Sequence, residues 1–150
     1  MYKRQDVARC LAEAGADLNQ AKEDGATPLF IASQHGHVDV VRCLAEAGAV
    51  LNQAKEGGAT PLFIASQQGR VDVVRYLAEA GADLNQAKES GATPLHAASH
   101  MGHLDMVKYL VEAGVDLNPG NYEGGTPLAL ARMAGHEEVV AYLKRAGVTA

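Results

Sequence analysis

Three histidines (His96, His100, His103) and two cysteines (Cys10, Cys43) are the residues whose types and spacing could carry chemistry. Two histidines at i and i+4 on one helix face can share a metal ion. Gly102, however, breaks the helix between His100 and His103, so the three rings are not one ligand set. Two thiols can form one disulfide or none. The glycines of "GGATP" and "SGATP" lack the strand, lysine and spacing of a phosphate-binding loop. No Ser-His-Asp or Cys-His arrangement stands out. What remains is a repeated charged pair, Lys22–Glu23, Lys55–Glu56 and Lys88–Glu89, which is either a solvated turn or a contact site.

The elements that position these residues come from a period. "DGATPLFIASQHGH", Asp24 to His37, returns as "GGATPLFIASQQGR", Gly57 to Arg70. Thr-Pro-Leu stands at Thr27, Thr60, Thr93 and Thr126, a constant step of 33 residues. The second half of the unit keeps the same register, as "VDVVRCLAEAGAVLN" from Val38, "VDVVRYLAEAGADLN" from Val71 and "LDMVKYLVEAGVDLN" from Leu104. A fixed period of this size marks a solenoid or array.

Each unit reads as two helices. Thr27 is an N-cap, and Pro28 occupies the first helical position, where its missing N–H costs nothing. The first helix runs to about His35, and Gly36 ends it by tolerating positive φ. The second runs from about His37 to Ala47, with Asp39 complementing the helix dipole. Val38, Val41, Leu44 and Ala45 give it an apolar stripe, and Gly48 ends it. "AVLNQAKEDGA"-type stretches then make an extended excursion and a turn. Helices this short are marginal alone, so the units must stack to bury their apolar faces.

Composition narrows the function. The chain has 150 residues, is 47% hydrophobic and 21% charged, and carries a formal net charge of −5. It can build a core, and it lacks the clustered basic residues that nucleic acid or an anionic membrane surface would require. Its start has no apolar signal core, and no apolar run approaches the length of a membrane span. Cys10 and Cys43 are equivalent positions one unit apart. Stacked helices sit about 8–10 Å apart, beyond the Cα separation a disulfide allows. The thiols therefore read as packing residues, which favours a reducing, intracellular and cytoplasmic setting.

The 33-residue period, "TPLHAA" at Thr93 to Ala98, "GH" at Gly102–His103 and "EAGADLN" at Glu79 to Asn85 resemble the ankyrin repeat over nearly the whole chain. The resemblance implies an all-α solenoid: antiparallel helix pairs in a curved array, with β-turn fingertips at about right angles. It also implies binding to another protein, without catalysis or cofactor. His96 and His103 are then family-pattern residues, which sets aside a metal site. Two departures stand out. Lys22, Lys55, Lys88 and Asn121 replace the family's turn aspartate, which puts fingertip bonds through that residue in doubt. Phe30, Phe63 and Ala129 replace its histidine, which removes the His-to-Thr bond from three of four units.

The reading divides the chain into a half repeat at 1–21, full repeats at 22–54, 55–87 and 88–120, and a C-terminal capping repeat at 121–150. The half repeat leaves apolar residues such as Leu11 without a partner layer, so it is expected to fray or to self-associate, as in a fragment of a longer array. At the other end, Glu137 replaces Val38, Val71 and Leu104, and Lys144 replaces Ala45, Ala78 and Val111. Polar residues on that outward face are what a terminal cap needs.

Scaffold positions must repeat, whereas exposed ones are free to change. The expected partner-binding strip is Glu23, Asp24, Phe30, Gln34, His35, Glu56, Phe63, Gln67, Gln68, Glu89, Ser90, His96, His100, Met101 and Tyr122, on the concave face the resemblance implies. If Phe30 and Phe63 point outward they are apolar anchors; otherwise they pack between fingertip and helix. The alternatives to a protein-binding module are a structural spacer segment of a larger repeat protein and an engineered scaffold or binder. The close identity of the first two units fits recent duplication as well as design. A uniform array offers no deep pocket of one-off residues, so the chain does not read as an enzyme.

Overall fold

The computed structural model describes residues 20–119 and 122–147. Among them are eight helices and no strand: α1 (Pro28–His35), α2 (Val38–Glu46), α3 (Pro61–Gln67), α4 (Val71–Glu79), α5 (Pro94–Met101), α6 (Leu104–Glu112), α7 (Pro127–Met133) and α8 (Glu137–Arg145). The half repeat at 1–21, with Cys10 and Leu11, lies almost wholly outside the described residues.

Local chemistry sets these boundaries. Thr27, Thr60, Thr93 and Thr126 each accept the backbone N–H three residues on, at 3.0–3.4 Å. Proline follows each of them at the first helical position. At the far end, Gly36 and Gly102 adopt φ of 77° and 76°. The next N–H then reaches back into the last turn, His37 to the carbonyl of Ala32 and His103 to that of Ala98, both at 3.0 Å. The second helix of the pair starts at the next residue.

The helix pairs form a row in which each first helix packs on the first helices beside it, and each second helix on its own neighbours. Contact is closer along the first-helix layer. Ala32, Ala65, Ala98 and Ala131, with Ser33, Ser66 and Ser99, are buried there and let the helices approach. Closer packing on one side curves the row with the first helices inside. The main core lies between the layers and is built from Leu29, Val41, Leu44, Leu62, Leu77, Leu95, Val107, Leu110, Leu128 and Leu143. Cys43 is buried in the slot that Tyr76, Tyr109 and Tyr142 occupy later. Each tyrosine lies under a cation from the preceding second helix, with Arg42, Arg75 and Lys108 at 5.3, 5.8 and 5.9 Å from the ring centres.

Fingertips join the units. In the first, Gly25 N–H donates to the carbonyl of Lys22 at 2.8 Å, and Lys22 N–H to that of Ala26 at 2.9 Å; the turns at Lys55 and Lys88 repeat both bonds. The family's turn aspartate is not needed to link them. Glu56 N–H donates to the carbonyl of Asp24 at 2.7 Å, and Glu89 N–H to that of Gly57 at 3.0 Å. Two further ladders cross the seams. Arg70, His103 and His136 donate from a ring or guanidinium nitrogen to the carbonyls of Gln34, Gln67 and His100 at 3.2, 2.9 and 3.0 Å. The side-chain oxygens of Asn52 and Asn85 accept the N–H of Asp83 and Asp116 at 3.0 and 2.9 Å. On the outward face of the last pair, Glu137 and Lys144 are exposed, whereas Val38, Val71, Leu104 and Val111 are half-buried against the core.

Candidate functional site

The concave face combines the fingertips with the solvent side of α1, α3, α5 and α7. Glu23, His35, Glu56, Gln68, Glu89, Ser90, His100 and Met101 are exposed on it; Asp24, Gln34, Gln67 and Tyr122 are half-buried. Apolar exposure rises along the row, with Met101 45% and Met133 79% exposed.

Three residues of the expected strip do not reach the surface. Phe30 and Phe63 are each 4% exposed and His96 is 1% exposed. The outward-anchor reading is therefore corrected: both phenylalanines belong to a second core cluster under the fingertips, with Ala26, Ala59, Ile64, Ala92 and Ala97. The physical reason lies one unit ahead. The next fingertip folds over each ring and brings a lysine to its face, Lys55 over Phe30 and Lys88 over Phe63, both 5.4 Å from the ring centre. The ring loses water and gains a cation on its negative face.

His96 solves the same packing problem with hydrogen bonds. Its Nδ1 accepts from Thr93 N–H at 3.0 Å and lies 3.0 Å from Thr93 Oγ1, while its own N–H donates to Thr93 Oγ1. This capping box leaves the ring proton on Nε2. Burial lowers the His96 pKa, opposed only in part by the nearby Gly125 backbone. Nε2 makes no hydrogen bond. Here Tyr122 does the covering, edge-on at 5.0 Å and 70°.

Charge on the face is organised by the fingertip lysines. Asp24 accepts from Ala26 N–H at 3.0 Å, and its other oxygen is 3.2 Å from Lys55 Nζ. The Ala26 bond first, and Lys55 second, hold the Asp24 carboxyl below its ordinary value. A groove of about 410 Å3 runs across the first two seams, walled by Asp24, Ile31, Gln34, Lys55, Gly57, Gln67 and Lys88. A smaller one of about 160 Å3 continues past Ser90, His100 and Tyr122.

Sequence reasoning placed the lysines on the fingertips but left them out of the strip, and it left out Ile31. Their repetition beside each glutamate was the available signal. It assigned no role to the 37/70 difference, whereas Arg70 is a rung between units. The ring nitrogens of His96, His103 and His136 engage backbone groups or Thr93. Among the described residues no cluster of three or more His, Cys, Asp or Glu could hold a metal ion, and no helix is long and apolar enough to cross a membrane.

A family model for ankyrin repeats (3 copies) matches residues 1–88 and 84–149. No curated protein matches the chain in sequence.

Proposed function

The chain belongs to the ankyrin-repeat family, and from that premise we propose that it is a protein-binding module without catalysis of its own, working through its concave fingertip and first-helix face. One observation carries the reading. Where two nearly identical units differ on this face, the differing residues are accessible: His35 and Gln68 are exposed, and Asp24 and Gly57 are half-buried along the groove. Of the residues the units share there, the Thr, Leu, Phe, Ala and Ser are buried scaffold, whereas the shared Lys, Glu and Gln reach the surface with the variable ones. A scaffold that repeats beneath a surface that changes suits recognition.

The proposed contacts are the accessible part of the strip, with Phe30, Phe63 and His96 setting the shape beneath. Alanine replacement of His35, Gln68 and Met101 together tests this. Capture of a partner from lysate should fall at least about tenfold, because truncated contact residues lose binding energy while exposed sites contribute little to folding. The melting temperature should barely change. Undiminished capture would overturn the reading.

A further inference from the structure

We infer that the seam between the second and third fingertips binds a carboxylate, that of an Asp or Glu side chain on an extended segment of the partner protein. The inference rests on the protein-binding reading above.

Two consecutive seams differ in the residue that faces the fingertip lysine. In the first, Lys55 lies over Phe30 and is paired with Asp24 at 3.2 Å. In the second, Lys88 lies over Phe63 at the same 5.4 Å, but Gly57 stands where the aspartate would be. Among the described residues no carboxylate pairs with Lys88. The backbone rung is the same in both seams: Glu56 N–H donates to residue 24 and Glu89 N–H to residue 57. Residue 57 thus holds the same rung beside Lys88 as residue 24 beside Lys55, but Gly57 takes a φ of 91°, whereas no residue other than glycine, Asp24 included, has positive φ among the described residues. A Cβ built on Gly57 meets no atom within 4 Å, so the place is open space. In the third seam Ser90 and Asn121 occupy these positions, and neither charge is present.

The vacancy faces the ligand side. Gly57 and Lys88 both wall the 410 Å3 groove, and Lys88 also borders the smaller one. The ammonium is already held over the ring, so pairing it freezes little further side-chain motion. It is half-buried, where charge is screened less than on an open surface. Gln67, beside it on the groove wall, offers an amide N–H, and the half-buried Ile31 offers apolar surface. The fitting segment carries one acidic residue flanked by apolar ones.

The test uses short fluorescent peptide pools, apolar and polar positions randomised around a centre fixed as Glu or as Gln, titrated onto the full chain. The Glu pool should bind about fivefold tighter than the Gln pool, the upper range for a partly exposed ion pair. Lys88→Gln should erase that preference, and Lys88→Arg should keep it. Asp24→Gly should strengthen it by freeing Lys55. Melting curves confirm that each variant is folded. Equal binding of the two pools, or a preference that survives Lys88→Gln, would overturn the carboxylate site. The broader reading would still stand if the triple His35/Gln68/Met101 replacement then abolished binding of both pools. Failure of every pool to bind the wild-type chain would overturn both.

Discussion

Phe63 and His96 hold equivalent positions in neighbouring units, and the two seams above them are closed by different means. Over Phe63 the closure is apolar contact plus a cation. Over His96 it is a capping box below and the edge of Tyr122 above. Both rings end up inside. The position demands a ring that the next fingertip can cover, and leaves open how the ring is satisfied. A hydrogen-bonding ring brings a condition the phenylalanine lacks, because it must stay neutral.

The most disruptive way to probe this comparison is Phe63→Ala. Emptying that buried site should cost about 3–5 kcal/mol, read from denaturant unfolding. A loss below about 1 kcal/mol would mean that the ring is not core. Next is Gly102→Ala against Gly135→Ala. Both glycines have positive φ, but a Cβ on Gly102 would lie 2.5 Å from the His136 ring, whereas one on Gly135 meets nothing. Backbone strain of about 1–2 kcal/mol is common to both, and Gly102→Ala should lose about 1 kcal/mol more with the His136 bond. Equal losses would show that this rung is idle.

His96→Phe then makes the two seams alike. With its pKa depressed on folding from the ordinary 6.5, His96 contributes stability that is complete above that value. That contribution is lost as pH falls through it, because the unfolded chain takes up the proton first. The variant should lie within about 1 kcal/mol of wild type at neutral pH and lose less on acidification; parallel pH profiles would contradict the neutral-ring account. Smallest is Lys88→Gln, expected to cost about 0.5–1 kcal/mol through the lost cation–ring contact, measured by thermal melting. An unchanged melt would leave the apolar contact as the sole closure over Phe63.

The helix pairs were legible because their signals are local: a capping threonine, a proline after it, a glycine at the end, all at one period. Where Phe30 and Phe63 point was not. In "PLFIAS" two adjacent apolar residues on a short helix must face different neighbours, and Leu29 takes the core between the layers. The covering of Phe30 comes from Lys55, in the next unit, so no local pattern contains it. The Asp24/Gly57 difference was visible as letters, but its meaning needed the rung that aligns the two fingertips. The reading of 1–21 falls almost entirely on residues outside those described.

The bonds between units run one way. At the fingertips, at the Arg70, His103 and His136 rungs and at the Asn52 and Asn85 rungs, the donor belongs to the later unit and the acceptor to the earlier. A unit turned end for end within the row would set acceptors against acceptors, however well its apolar surface fitted. The row therefore has a sense of direction written in protons, and shuffled units would rejoin only head to tail.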